Sequence, residues 1–355
     1  MNPKIKWLRN QLDALKLEGM LVTNPVNVRY LTGLDAEGFL ILAPKATMFV
    51  TDSRYIEAVN STLTIDDEII AYDRRELTKY DYEGFFMTCE NIGFEENYVT
   101  YADYHNYLQK YQVSLVETEG LIEKQRILKE DDEIDLIRKA CLITTKSFDY
   151  VINNIEYGMT EKDIAFMIEK EFVKNGADGL AFDSIVASGK NSSMPHAIPT
   201  DRIIEPGDII QFDIGAKYKG YCSDFSRVVF VEELDPNLKD AYLFVKEQQK
   251  LLAENLKDGA NIKEVIKERD LDFEKEKYDI YHAFGHGVGL EIHEDPVLRD
   301  NVDTILKEKT VIAIEPGVYD PGRFGIRIED TFLVGKNGSE PLTNYSKDFK
   351  IIHLK

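Results

Sequence analysis

The chain has 355 residues, enough for two domains of ordinary size, and 43% of them are hydrophobic, which is material for sizeable cores. With 64 acidic against 43 basic residues the formal net charge is −21, a balance that opposes binding to nucleic-acid phosphates or anionic membranes, where basic patches are expected. No stretch reaches the roughly 18 apolar residues of a membrane span; the start, with Lys4, Lys6, Arg9, Asp13 and Lys16, lacks the apolar core of a signal peptide; and three scattered cysteines, Cys89, Cys141 and Cys222, fit a reducing cytoplasm.

In chain order, an amphipathic helix is predicted near Pro3–Leu17, then a strand over Met20–Thr23 and an apolar pair over Phe39–Leu42 and Thr47–Val50. Mixed α/β patterning continues to about Gly120, and the charged run Leu121–Glu133 marks a junction between a first domain, residues 1–123, and a second, residues 124–355. A long helix is expected from Asp132 to Asn153, capped by Asp131 or Asp132, with Leu136, Ala140, Ile143 and Phe148 on its core face. Gly158–Ile164 (GMTEKDI) and Gly259–Val265 (GANIKEV) then echo one another. Each follows a long helix and opens another, with Thr160 or Asn261 as N-cap and an acid three residues on. The echo predicts two similar halves folded together.

Asp208–Tyr218 and Tyr221–Val231 read as a β-hairpin turned at Lys219–Gly220. A two-residue turn there sets Gly215 opposite Asp224 and Ser226 opposite Asp213, so both aspartates share a face and Ser226 can hydrogen-bond a metal-bound carboxylate. An acid taken at random from 64 is a solvated surface charge. Asp213, however, interrupts the apolar run Ile209–Ile214, and Glu315 closes Val311–Ile314, runs typical of strands buried on both faces. A buried carboxylate needs a cation or a coordinated metal. Glu329 stands two residues from Arg327 on one strand face, where a plain salt bridge is the competing reading. Within Tyr281–Pro296 (YHAFGHGVGLEIHEDP), His286 and His293 stand among glycines and apolar residues. Four converging carboxylates and one imidazole carry four negative charges, which two divalent cations neutralise while leaving room for a bridging hydroxide. Oxygen-rich ligation with one nitrogen suits Mn²⁺, Fe²⁺, Co²⁺ or Zn²⁺ without choosing among them.

The segments QFDIGAKYKGYCSDFSR, FGHGVGLEIHEDP, AIEPGVY and GIRIED carry Asp213, Asp224, His286, Glu315 and Glu329 in the order Asp, Asp, His, Glu, Glu. This resembles the metal-dependent proline peptidases of the creatinase and methionine aminopeptidase superfamily, and Met1 to about Glu123 is similar to the smaller N-terminal domain of creatinase and prolidase. The resemblance implies an α/β N-terminal creatinase-like domain followed by an α+β pita-bread catalytic domain with pseudo-twofold halves. It implies that Asp213 holds one metal, that His286 and Glu315 hold the other, and that Asp224 and Glu329 bridge them. Glu315 would also carry the proton of the attacking water to the leaving nitrogen. His196 would hydrogen-bond the scissile carbonyl, His293 would line the substrate pocket, and Arg327 would orient a substrate carboxylate or a liganding glutamate. Apart from the motif, His196 reads as an ordinary loop histidine and His293, amid Glu291, Glu294 and Asp295, as a surface one. His282 is assigned no role. Ser226 stands where the family more often has threonine, and keeps the hydroxyl.

The expected activity is therefore hydrolysis of Xaa-Pro bonds, tertiary amides whose missing N–H and fixed φ suit them poorly to general peptidases. The resemblance implies two divalent metal ions per subunit, Mn²⁺ first with Co²⁺, Zn²⁺ or Fe²⁺ as alternatives. It implies a homodimer taking small peptides with proline at the second position, while cysteine usage and charge point to the cytoplasm and against nucleic acid or membrane. The compact length favours Xaa-Pro dipeptidase over aminopeptidase P. Creatine amidinohydrolases lack the full carboxylate set, methionine aminopeptidases lack the N-terminal domain, and a noncatalytic binding protein of this fold would have lost ligands.

Overall fold

Helix and strand signals alternate along the first third of the chain, and there they build one sheet flanked by helices. The computed structural model describes residues 2–44, 46–64, 68–86 and 89–355, and the chain divides into two units, Met1–Gln125 and Arg126–Lys355. In the first unit the strands are β1 (Gly19–Val22), β2 (Phe39–Ala43), β3 (Ala46–Thr51), β4 (Ile69–Asp73), β5 (Asn91–Phe94) and β6 (Ser114–Glu117), in the order β4-β3-β2-β1-β5-β6. Only β2 runs against its neighbours. The helices are α1 (Pro3–Leu15), α2 (Pro25–Thr32), α3 (Ile56–Thr62), α4 (Lys79–Phe86), α5 (Tyr101–Tyr111) and α6 (Leu121–Arg126). Helix α1 buries Ile5, Leu8 and Leu12 at helical spacing, and the Asn2 side chain caps it by accepting the Lys4 N–H.

The second unit has helices α7 (Asp131–Ile152), α8 (Glu161–Lys174), α9 (Lys239–Asn255) and α10 (Ile262–Glu276). Its strands are β7 (Gly179–Leu180), β8 (Ile185–Ser188), β9 (Ile209–Ile214), β10 (Ala216–Tyr218), β11 (Tyr221–Cys222), β12 (Phe225–Val231), β13 (Gly285–Gly287), β14 (Val311–Ile314), β15 (Gly317–Asp320), β16 (Phe324–Arg327), β17 (Glu329–Gly335), β18 (Gly338–Pro341) and β19 (Lys350–Ile352). The main sheet runs β13-β14-β17-β12-β9-β8, with β18 added to β17 and β19 to β12. One apolar cluster under α7 and α8 includes Phe148, Phe172, Phe212 and Phe225; another, under α9 and α10, includes Tyr242, Phe273, Ile314 and Phe332. All of β12 and β14 is buried, as expected of strands packed on both faces.

Helix α7 departs from the sequence expectation at its start. Glu130 is the N-cap, and its N–H is accepted by the Glu133 carboxylate, so neither Asp131 nor Asp132 caps the helix. Ile134 and Ile137 join Ala140, Ile143 and Phe148 in the core, and Leu136 is half-buried at the edge of that stripe.

The two halves of the second unit repeat down to single hydrogen bonds. The Glu161 N–H bonds the Arg202 carbonyl and the Ile204 N–H bonds the Met159 carbonyl; in the other half the Ile262 N–H bonds Thr304 and the Leu306 N–H bonds Ala260. Thr160 bridges Ile203 as Asn261 bridges Ile305. The strands that follow correspond pairwise, β8 with β13, β9 with β14 and β12 with β17, so the sheet order is the same from either end. Asp213 faces Ser226 across β9–β12. The β14–β17 register, in which Ile314 faces Asp330, carries Glu315 to the matching position opposite Glu329. The repeat thus brings an acid from each half to the middle of the sheet.

Candidate metal centre

Lys219 and Gly220 both take left-handed backbone conformations, φ 47° and 85°, as a two-residue hairpin turn requires. That turn fixes Tyr218 against Tyr221 and Lys217 against Cys222, and the same register continues to Asp213 against Ser226. The hairpin tip leaves the main sheet to join β7, and Asp224 stands at the bend. There the Thr331 hydroxyl accepts the Asp224 N–H and donates to its carbonyl, each at 2.9 Å. Cys222 is a buried thiol with Sγ 3.7 Å from the Leu290 carbonyl.

The run Gly325–Glu329, one strand by sequence pattern, is broken at Ile328. Arg327 ends β16 in a two-stranded ribbon with β15, whereas Glu329 opens β17 of the main sheet. Arg327 therefore pairs with Asp213, not Glu329: Nη2 donates to Asp213 Oδ2, Nη1 to the Tyr319 hydroxyl and the Pro195 carbonyl, and Nε to Ser226 Oγ at 3.1 Å. Ser226 in turn donates to Glu329 Oε2 at 2.7 Å. Arg327 is 2% exposed. Its donors are turned to Asp213, Ser226, Tyr319 and the Pro195 carbonyl.

His286, in β13, turns Nδ1 to the Gly287 carbonyl at 3.0 Å and presents Nε2 to Asp224 Oδ2 at 3.4 Å and Glu315 Oε1 at 3.7 Å. Asp224, His286 and Glu329 each offer a donor atom within 4.8 Å of the others. Asp213 Oδ1 is buried with no hydrogen-bond partner. Burial, with the charges of Asp213 and Glu315, raises the Asp224 carboxyl well above its ordinary range. Burial, with Asp224, Glu315 and Asp213, does the same to Glu329. Glu315 is pushed up to about 8 by burial, with Arg327 opposing and Asp213 adding. Burial lowers His286 to about 4, which keeps its imidazole neutral and able to ligate. Crowded carboxylates, an orphaned carboxylate oxygen and a neutral imidazole are a donor set that a divalent cation relieves.

The remaining expected residues surround this cluster. His196 is exposed on the loop after the 3₁₀ turn Gly189–Ser193. His293 is exposed and sets its ring edge-on to His286, centroids 4.4 Å apart. Its neighbour Glu294 exchanges backbone hydrogen bonds with Gly287, and its carboxylate is clamped by Arg126 and Lys129. Two residues had no role by sequence. His282 Nε2 bonds the Tyr319 hydroxyl at 2.9 Å and its Nδ1 lies 3.6 Å from Glu315 Oε2, while Tyr319 joins His282 to Arg327. The only signal for Tyr319 was its place at the end of AIEPGVY.

Fold and donor set define a metal-dependent hydrolase. Residues 135–336 match metallopeptidase family M24 and residues 4–128 match the creatinase/prolidase N-terminal domain; the chain belongs to this metallopeptidase family. An Xaa-Pro dipeptidase of Pyrococcus furiosus is 34% identical, over 98% of this chain and 99% of its own length. An Xaa-Pro dipeptidase structure from Bacillus anthracis superposes with TM-score 0.91 at 34% identity, covering 98% of this chain and 99% of that one. An X-Pro aminopeptidase structure from Thermotoga maritima superposes with TM-score 0.89 at 28% identity, covering 96% and 100%.

Proposed function

We propose that the chain is an Xaa-Pro dipeptidase whose two divalent metal ions are held by Asp213, Asp224, His286, Glu315 and Glu329. The observation that supports the reading is the meeting of Asp224, His286 and Glu329 within 4.8 Å of one another, with Glu315 beside His286 and Asp213 paired with Arg327, in a chain similar over nearly its whole length to Xaa-Pro dipeptidases. Bound there, two divalent cations would acidify a water toward a pKa of about 7 and would polarise the scissile carbonyl. Glu315 takes a proton from the attacking water and delivers it to the proline nitrogen as the C–N bond breaks. His196 donates a hydrogen bond to the carbonyl oxygen, His293 lines the pocket, and Arg327 holds Asp213. The reading includes Mn²⁺ as the metal, a homodimer, and the cytoplasm, with the buried thiols of Cys141 and Cys222 in support of the last.

The likeness to an X-Pro aminopeptidase structure favours a second reading, action on longer peptides. Burial of Arg327 and its bonds to Asp213 and Tyr319 favour other groups as the receivers of a terminal proline carboxylate. The deciding measurement is release of proline from Ala-Pro beside release of alanine from Ala-Pro-Ala, by metal-loaded protein with a chelator control. Cleavage of the dipeptide alone supports the proposal. Comparable cleavage of the tripeptide moves the assignment to aminopeptidase, and failure on both with metal bound overturns the two.

A further inference from the structure

The loop that carries His196 is fastened at both ends by one side chain far from it in sequence. Glu161, the first residue of α8, is fully buried. Its Oε1 accepts the Ser188 N–H at 2.6 Å and the Ser188 hydroxyl at 2.7 Å. Its Oε2 accepts the Thr200 N–H at 2.9 Å and the Thr200 hydroxyl at 2.7 Å. The Asn191 amide spans both oxygens at 3.1 and 3.2 Å. Ser188 ends β8 just before the loop, and Thr200 resumes the chain just after it.

The internal repeat provides a control for what this position requires. Ile262 is the equivalent residue of α10, its N–H bonded to Thr304 as that of Glu161 is bonded to Arg202, and it is fully buried in the apolar core. The helix start therefore demands a buried side chain, not a carboxylate. Only the first half carries the His196 loop, and only there is the position charged. Between its ends the loop is seated from below: Ser192 Oγ accepts the Gly325 N–H at 2.9 Å, Ser193 Oγ accepts the Gly322 N–H at 3.1 Å, and Ala197 packs on Ile185 and Ala187. The Pro195 carbonyl accepts from Arg327 at 3.3 Å. His196 itself remains exposed.

We propose that Glu161 is a positioning residue: by gathering Ser188, Asn191 and Thr200 on one carboxylate it fixes where His196 stands, and so the hydrogen bond His196 makes to the scissile carbonyl. The catalytic half of this inference rests on the role given to His196 above; the anchoring half does not.

Glu161→Gln keeps the shape but places an amide N–H₂ against donors at one end of the loop. In metal-free protein, hydrogen exchange of the amides of residues 189–200 is expected to quicken by about tenfold or more while β9 and β12 stay protected. With Mn²⁺ loaded, kcat on Ala-Pro is expected to fall by about tenfold or more at unchanged metal content, as for a misplaced reacting group. In a His196→Ala background the same change is expected to cost less than about twofold, since residues that act as a unit are non-additive. If Glu161→Gln does not fold, Thr200→Val removes one hydroxyl from the same carboxylate and is expected to give the same pattern at smaller amplitude. Wild-type exchange of the loop in the folded variant overturns the anchor. An equal fold-loss with and without His196 overturns the link to that histidine, and wild-type turnover by His196→Ala alone overturns the catalytic half while leaving the anchor to the exchange data.

Discussion

Arg327 and Glu161 show how much one buried ionic side chain can organise. Arg327 joins Asp213, Ser226, Tyr319 and the Pro195 carbonyl in one plane of donors. Lysine keeps the charge but not the fork, so Arg327→Lys is expected to leave Asp213 loosely held, with less than wild-type metal by elemental analysis and turnover lower by about tenfold or more. Full metal content and full turnover in that variant would refute the role. For Glu161, burial pushes the carboxyl up, but the hydrogen bonds from Thr200 and Ser188 together outweigh it and hold the group below its ordinary value. A carboxyl lowered on folding adds stability that is complete above its unfolded pKa, about 4.3, and is lost as pH falls through the lowered folded value. Glu161→Gln should therefore melt below wild type at neutral pH, and the gap should close as pH falls below about 4. A gap that persists unchanged to about pH 3 would assign the effect to packing instead of charge.

At the scale of elements, the hairpin was legible and the strand break was not. Turn type fixes register, so Lys219–Gly220 sufficed to place Ser226 opposite Asp213. Nothing local marks the break at Ile328; it arises because β16 turns away to pair with β15 while β17 enters the main sheet. The cap of α7 was missed for a related reason: the two candidates, Asp131 and Asp132, adjoin Glu130, and only the folded backbone selects Glu130. Close approach of elements offers a test. A Cβ on Gly325 would run into the Ser192 carbonyl beneath the His196 loop, a backbone atom that cannot move aside as a flexible side chain can. Gly325→Ala is expected to lower stability by about 1–3 kcal/mol, as overpacking does, and chemical denaturation will read it. A midpoint equal to wild type would mean the loop yields without cost.

For the molecule as a whole, the second unit gathers Asp213, Asp224, Glu315 and Glu329 at the centre of a twofold sheet, where burial and mutual repulsion raise Asp224, Glu315 and Glu329. A ligand that binds only the folded state stabilises by mass action, about 2.7 kcal/mol at a hundredfold excess over Kd. Chelation is therefore expected to lower the melting temperature and Mn²⁺ to restore it, with Asp224→Ala losing both responses. A melting temperature indifferent to chelator and metal in the wild type would refute a metal centre.

The sequence by itself determined the element types, the hairpin register, the echo between Gly158–Ile164 and Gly259–Val265, and the family to which the chain belongs. These follow from short-range rules: hydrophobic period, turn chemistry, capping, and motif order along the chain. Tertiary structure alone decided which charges meet. Arg327 reaches Asp213, Glu161 reaches Ser188 and Thr200, and Tyr319 links His282 to Arg327. A buried charge must find its partner wherever packing brings one within hydrogen-bond distance, and sequence separation places no limit on where that is.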